Sequence, residues 1–298
     1  MALPGWLADG VAKVVQRAPG SSRTTQDIAF SEIPALTEDV VLATRHGDVT
    51  ATVYSPSGGA AGRGVHINLH GGGFVMRHPE QDDPLCRYIA AHADVTVINV
   101  DYTPAPQLRA PGAIEQVLDI ARWAAESERP WEGSRLSIGG ASAGGALAAG
   151  VARLSWEEQG PHIGLQVLLY PPLNLTISAR AKRRPATENF LVPMGPFFDK
   201  AYVPDPAKRG DRLVSPAGPD DTIPLDGIAP AVVITCEKDI LRDEGARYAQ
   251  RLAAAGALKE HINVAGQGHG FNILGSPRDV VVGVYDRIVH HIAALADR

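Results

Sequence analysis

The sequence predicts an α/β protein built on a mostly parallel, doubly wound sheet of about eight strands. Six runs of consecutive apolar residues have the length of strands that are buried on both faces. Segments with the periodicity of helices lie between these runs. Strands and helices that alternate in this way form parallel sheets through right-handed crossovers, and the functional site of such a sheet lies at the carboxyl ends of its strands.

The predicted sheet opens with an antiparallel hairpin. Residues 40–43 and 49–54 alternate apolar and polar side chains, and the turn residues His46, Gly47 and Asp48 lie between them. The buried strands are predicted at 65–69, 95–100, 136–138, 165–169, 231–235 and 262–264. Helices are predicted at about 84–91, 113–126, 143–154, 243–255 and 278–295.

A single domain is expected, with two segments that stand outside the alternating pattern. At 298 residues and 45% hydrophobic content, the chain can bury one large core. Residues 1–34 hold one short amphipathic stretch followed by polar, turn-rich sequence, which is typical of an accessory arm. Residues 174–225 are rich in proline and carry spaced aromatic side chains. Because this second segment is too long for an ordinary connection, we predict that it covers a binding site.

Charge and cysteine content exclude several classes of function. The net charge is -5, and the basic cluster at 180–184 has neither a nucleic-acid-binding motif nor an aromatic platform, so we expect a solvated loop and no nucleic-acid partner. Cys86 and Cys236 give neither a disulfide framework nor metal-ligand spacing and are predicted to be buried. Because no targeting segment or long apolar run is found, we expect a soluble, cytoplasmic protein with no membrane partner.

One serine stands among small residues at the end of a predicted strand. Gly140, Ser142 and Gly144 form the G-x-S-x-G pattern of a strand-turn-helix elbow, in which the serine hydroxyl projects clear of the sheet. Glycine on both sides allows strand and helix to approach closely, because a Cβ there would meet the opposing backbone. The pattern predicts a nucleophile, and the alternative is a loop serine that caps the following helix.

A serine nucleophile requires a base, an acid and oxyanion donors, because its hydroxyl is weakly nucleophilic near neutral pH. In sheets of this type the acid and then the base follow the serine along the chain, each after a later strand. Asp239 lies in the loop just past the strand at 231–235, and we rank it above Glu237, which follows the strand end too closely. Asp243 and Glu244 open the next helix, where N-capping and the helix dipole account for a carboxylate.

The base and the oxyanion donors also have candidates. His269 lies between glycines just after the strand at 262–264, whereas the other histidines lie on helices, in a strand or in turns and are predicted to be surface or packing residues. The glycines at 71–73 follow the strand at 65–69 and expose backbone N–H groups, and the Ala143 N–H adds another. The alternative for these glycines is a plain tight turn.

No cofactor or metal is predicted. The glycines fit a dinucleotide-binding pattern only with forced spacing, and the run at 139–145 lacks the Lys-Ser/Thr pair of a phosphate-binding loop. His70 is predicted to be a hydrogen-bonded loop anchor, because no second ligand lies at metal-site spacing.

Four motifs together resemble the bacterial hormone-sensitive-lipase-like esterases of the α/β-hydrolase fold. The motifs are HGGGF at 70–74, G-x-SAGG at 140–145, DILRDEG at 239–245 and HGF at 269–271. The resemblance covers the chain from about Asp39 to its end and implies a small cap over the acyl pocket, with pieces at 1–34 and 174–225. The family's site residues fall on catalytic Ser142, Asp239 and His269 and on the oxyanion donors Gly72, Gly73 and Ala143.

Two positions depart from the family's pattern. Ala141 stands before the serine, where the family usually has an acidic residue. The stretch DYTPAPQ at 101–107 lacks the arginine and the glutamate of the family's D-Y-R-L-A-P-E, so an ion-pair network that supports the site is expected to be absent or rebuilt.

The resemblance implies a cofactor-independent hydrolase that cleaves short- to medium-chain carboxylic esters through an acyl-enzyme. The partner would be a small-molecule acyl ester, and a homodimer is an expectation because the family often dimerises. An amidase, formamidase, carbamate hydrolase or lactone hydrolase with the same triad is the nearest alternative. A small-molecule receptor without turnover on the same fold is the alternative from another class.

Overall fold

The computed structural model describes residues 5–16, 25–182 and 191–297. The predicted arm at 1–34 and the segment at 174–225 are therefore described in part. Two members of the predicted basic cluster, Arg183 and Arg184, lie outside the described residues.

One sheet of eight strands forms the centre of the described chain. Its strands are β1 (Leu36–Leu42), β2 (Val49–Ser55), β3 (Val65–Leu69), β4 (Thr96–Asp101), β5 (Leu136–Ala141), β6 (Leu165–Leu169), β7 (Ala231–Cys236) and β8 (Leu258–Val264). Their spatial order is β1-β2-β4-β3-β5-β6-β7-β8, with β2 antiparallel to both β1 and β4 and all other pairs parallel. The predicted class, a mostly parallel sheet that opens with a hairpin, is confirmed.

Helices cover both faces of this sheet. In the described residues they are α1 (Gly5–Val15), α2 (Asp83–His92), α3 (Gly112–Ala124), α4 (Ala143–Glu157), α5 (Leu191–Tyr202), α6 (Arg242–Ala254) and α7 (Arg278–Ala293). Buried side chains of α3, α4 and α6 belong to one hydrophobic cluster, and those of α2 and α7 belong to a second one. The sheet is therefore doubly wound. None of the described helices has the length and apolar content needed to cross a membrane.

Predicted and observed element bounds differ most where the apolar pattern is weakest. β8 begins at Leu258, before the predicted 262, because this edge strand alternates half-buried and exposed residues and lacks a continuous apolar run. β5 continues to Ala141, beyond the predicted 138, because its glycines pair with β3 on one side and β6 on the other. Strand length is thus set by pairing with neighbours, which the apolar runs do not report.

The segment between β6 and β7 places one helix beside the carboxyl edge of the sheet. This segment at 174–225, called the insertion below, contains α5. α5 packs against α1, so the arm and the insertion meet in the folded chain. Arg109 holds this corner, because its guanidinium contacts Asp9 of α1 at 2.6 Å and the Ala201 carbonyl of α5 at 3.1 Å.

Candidate active site

Ser142 occupies the corner between β5 and α4. Its backbone has φ 53° and ψ -118°, a conformation that is strained for a residue with a side chain. Close approach of the neighbouring strand enforces this corner, since a Cβ on Gly144 would lie 1.8 Å from the Leu69 carbonyl oxygen and one on Gly140 would lie 2.3 Å from it. The Ser142 N–H donates to the Leu169 carbonyl at 2.8 Å. The serine is therefore held at the carboxyl edge of the sheet.

Three side chains from three strand ends form one hydrogen-bonded chain at this edge. His269 Nε2 lies 2.9 Å from Ser142 Oγ, and His269 Nδ1 lies 2.7 Å from Asp239 Oδ2. Because the carboxylate accepts a hydrogen bond from the Nδ1–H group, Nε2 of the neutral ring is left to accept the serine proton. The other Asp239 oxygen accepts from the Leu241 N–H at 3.0 Å. All three side chains are at least nine-tenths buried.

The two carboxylates ranked for the acid position have different surroundings. Asp239 is buried against His269, whereas Glu237 is exposed and accepts from the Gly266 N–H at 2.6 Å. Glu237 thus ties the loop that follows β8 to the loop that follows β7. A further bond between these loops runs from the Lys238 N–H to the Gln267 carbonyl at 2.9 Å.

The glycine loop after β3 passes alongside the serine. Gly72 and Gly73 have φ values of +130° and +60°, which a residue with a side chain rarely adopts. A Cβ on Gly71 would lie 3.5 Å from Ser142 Cβ, so this loop is in van der Waals contact with the elbow. Ala143 is the first residue of α4, where the backbone N–H has no partner within the helix. The structure therefore places the glycine loop against Ser142, with Gly73 lining the same cavity as the serine and Ala143 directly after it.

His70 anchors the start of this loop. Its Nδ1 lies 2.7 Å from the Gly71 carbonyl oxygen, and its ring stacks on Tyr102 with centroids 4.4 Å apart. The Tyr102 hydroxyl donates to the His70 carbonyl at 3.0 Å. Burial lowers the pKa of His70 to about 4, so the ring is neutral near pH 7. In the altered stretch at 101–107, Asp101 forms an ion pair with Arg77 at 2.5 Å.

Two charged residues have roles that the sequence-based interpretation missed. Glu244 is 5% exposed, accepts from the Leu173 N–H at 2.8 Å and pairs with Lys182 Nζ at 2.6 Å. Lys182 also donates to the Asn174 carbonyl at 2.7 Å. The interpretations of Glu244 as a residue that caps its own helix and of Lys182 as part of a solvated loop are therefore wrong. No local signal reveals this pair, because its members are far apart along the chain.

A small cavity opens beside Ser142, with a volume of about 50 Å³. α5 contributes Gly195, Phe198 and Asp199, which share one face of the helix at the spacing i, i+3, i+4. Phe198 covers Gly73 closely, because a Cβ on that glycine would lie 2.5 Å from the ring. The described residues that line the cavity are Gly73, Phe74, Ser142, Pro172, Leu175, Ala179, Lys182, Gly195, Phe198, Asp199, Ile240 and Leu241.

Neither cysteine lies in this site. Cys86 and Cys236 are free and buried, so the predicted burial of both is confirmed. Within the described residues, no group of three or more histidine, cysteine or carboxylate side chains is placed to hold a metal ion.

Comparison with known proteins defines the class of protein. The model of the alpha/beta hydrolase fold family matches residues 66–273, which is well over half of the chain. The chain therefore belongs to the α/β-hydrolase fold family, and the resemblance stated from the four motifs is confirmed.

Named relatives narrow this class. The carboxylic ester hydrolase LipN of Mycobacterium tuberculosis is 34% identical over 76% of this chain and 61% of its own length, so the chain spans less than two thirds of that relative. The carboxylesterase NlhH of the same organism is 32% identical over 75% of this chain and 71% of its own length. Among solved structures, the thermostable carboxylesterase EstE1 from a metagenomic library is 30% identical with a TM-score of 0.81, covering 97% of each chain.

Proposed function

We propose that this protein hydrolyses short-chain carboxylic esters through an acyl-enzyme formed on Ser142. The observation that carries the proposal is the hydrogen-bonded chain from Ser142 Oγ through His269 to Asp239, which ends beside a small cavity. The relatives named as carboxylesterases support the same class of reaction.

In the proposed mechanism, His269 Nε2 takes the Ser142 proton as the hydroxyl oxygen attacks the ester carbonyl. Asp239 holds the histidine ring in the required tautomer and stabilises the imidazolium. The imidazolium then protonates the leaving alcohol, which departs and leaves the acyl group on Ser142. A water molecule, deprotonated by the same histidine, attacks the acyl-enzyme and releases the acid.

Backbone N–H groups are proposed to stabilise the oxyanion. Gly72, Gly73 and Ala143 are the proposed donors, and loss of one such donor costs about 3 kcal/mol in the transition state. The unusual φ values of the two glycines and the position of Ala143 at a helix start support this role. The arm and the insertion are proposed to form the cap over this site, since α1 and α5 pack together beside it.

The size of the cavity points to short acyl groups. The cavity beside Ser142 has a volume of about 50 Å³, which is small compared with the pockets that hold drug-sized ligands. A small cavity favours acetyl to butanoyl groups over an octanoyl chain. We therefore propose a preference for acyl chains of two to about four carbons.

The test is initial hydrolysis rates on p-nitrophenyl acetate, butanoate, octanoate and laurate. Ser142→Ala should lower kcat by at least about 10³-fold with folding unchanged. Ser57→Ala, which alters an exposed turn serine, is the matched control and should retain full activity. A Ser142→Ala protein with wild-type rates would overturn the proposal. Turnover of matched amides but not esters would instead identify an amidase, and no labelling by an organophosphonate would favour a receptor.

A further inference from the structure

One carboxylate lies where the cavity would be expected to be apolar. Gly195, Phe198, Asp199 and Tyr202 share one face of α5, and this face packs toward the site. Phe198 covers Gly73, and the Tyr202 ring stacks on Phe74 with centroids 4.0 Å apart. On such a face the helical pattern places apolar or small residues. Asp199 breaks this pattern although it is 8% exposed.

The described residues do not satisfy the hydrogen-bonding capacity of the Asp199 carboxylate. Within the described part of the chain, no N–H or O–H group donates a hydrogen bond to it. Burial raises the pKa of this carboxylate, and the more distant cations Lys182 and Arg209 lower it. Buried polar side chains usually have hydrogen-bond partners, because a buried group without one is costly. Asp239 and Glu244, the other buried carboxylates near the site, both accept backbone N–H groups. Among the described residues, Asp199 thus lacks the partners that these two carboxylates have.

The cation nearest to it in the cavity wall is already paired. Lys182 lines the same cavity, but its ammonium contacts Glu244 at 2.6 Å and the Asn174 carbonyl at 2.7 Å. Arg209 attracts Asp199 only at longer range, and its guanidinium donates to the Val203 carbonyl at 3.0 Å. Glu244 offsets the charge of Lys182. Among the described residues of the cavity wall, Asp199 is therefore the charged group that remains without a partner.

The cavity lies on the acyl side of the proposed reaction. His269 must protonate the leaving alcohol, so the alcohol has to lie next to that ring. Ser142 and Gly73 are among the described residues that line the cavity, and His269 is not among them. The part of the ester that enters this cavity is therefore the acyl group.

We propose that Asp199 selects short acyl groups that end in a hydrogen-bond donor, above all a protonated amine. This inference rests on the proposed ester hydrolysis and names its substrate class as short amino-acyl esters. A charged hydrogen bond in a water-poor cavity is stronger than one between neutral groups. An ammonium group would also supply the partner that the described residues do not give to this carboxylate.

The test uses two p-nitrophenyl esters with acyl groups of equal size, 3-aminopropanoyl and butanoyl, at pH 7.5. The measured quantity is the ratio of their kcat/KM values, compared between proteins so that the intrinsic reactivity of each ester cancels. Asp199→Asn keeps the size of the side chain and removes its charge, and it should lower the ratio by about 10- to 100-fold. Asp220→Asn, which removes an exposed carboxylate of the insertion, should leave the ratio unchanged.

The outcomes separate this inference from the proposed function. An unchanged ratio in Asp199→Asn, with both esters hydrolysed in a Ser142-dependent way, overturns the role of Asp199 and leaves the esterase proposal standing. If no ester is hydrolysed in a Ser142-dependent way, the proposed function itself is wrong. Should Asp199→Asn fail to fold, Asp199→Ser provides the same comparison, and a preserved preference for the amine in that variant would contradict the inference.

Discussion

The two sides of the candidate active site are built in different ways. On the sheet side, Ser142, Asp239 and His269 follow the ends of three strands, and each has a hydrogen-bond partner within 3.0 Å. On the insertion side, α5 contributes an aromatic ring and a carboxylate that no described group satisfies. The groups proposed for the chemistry are thus preorganised by the backbone. The groups proposed for selectivity are left available to a ligand.

The two buried aspartates make this difference concrete. Asp239 accepts hydrogen bonds from a histidine ring and from a backbone N–H group. No described group donates a hydrogen bond to Asp199, and burial raises its pKa to about 6. A carboxylate that orients a base must stay ionised, whereas one that awaits a cationic ligand can remain unsatisfied until the ligand binds.

The turnover rate should be more sensitive to a single polar substitution on the sheet side than to one on the insertion side. Asp239→Asn removes the charge that stabilises the imidazolium and lets the histidine adopt the wrong tautomer, so kcat on p-nitrophenyl acetate should fall by about 10⁴-fold. Glu237→Gln, two residues away, keeps the acceptor for the Gly266 N–H and should change kcat less than about threefold. A similar loss in both variants would show that the loop, and not the acid, controls the rate.

The contact between the two sides can be tested at Gly73. A Cβ on this residue would lie 2.5 Å from the Phe198 ring, so Gly73→Ala should displace the loop and lower kcat/KM by about 10²-fold. Gly73→Ala combined with Phe198→Ala removes the clash with the ring but keeps the φ of +60°, so the double variant should regain only part of the activity of Phe198→Ala alone. A double-mutant cycle measures whether the two substitutions are coupled. If their effects on kcat/KM are additive, a direct contact between Gly73 and Phe198 is contradicted.

Chain-length preference should depend on the insertion side alone. Phe198→Ala enlarges the cavity, so the ratio of octanoate to butanoate hydrolysis should rise about tenfold while the acetate rate changes little. The adjacent Phe197 is buried to the same degree but does not line the cavity, and Phe197→Ala is therefore the matched control. If both variants shift the ratio equally, general loosening of α5 sets the chain length.

The unsatisfied carboxylate should lower stability at neutral pH. Since the pKa of Asp199 is raised from 3.8 to about 6, the folded state binds its proton more tightly, and the wild type loses stability as pH rises through this window. Asp199→Asn does not titrate, so it should gain on the order of 2–3 kcal/mol over the wild type between pH 4 and pH 8. Denaturant unfolding at both pH values checks this, with Asp220→Asn as control. If the gain in stability is the same at both pH values, the substitution acts through side-chain packing and not through the charge.

The sequence alone determined the class of fold and the local structure of the elbow. Buried strands appear as continuous apolar runs, and the glycines around Ser142 are dictated by backbone contacts between consecutive elements. The order of serine, acid and base also follows from the order of strands in this type of sheet. Each of these signals is written in short stretches of neighbouring residues, which is why it can be interpreted before the chain is folded.

The tertiary structure decided which side chains surround the cavity. Lys182 and Glu244 become partners, and Asp199 comes to face the same space as Ser142, although all are distant along the chain. A lysine in a basic cluster and an aspartate on a helix are ordinary surface residues by composition. Burial and pairing depend on how distant segments pack together. Packing is set by the shapes of many side chains at once, and no local sequence pattern reports it.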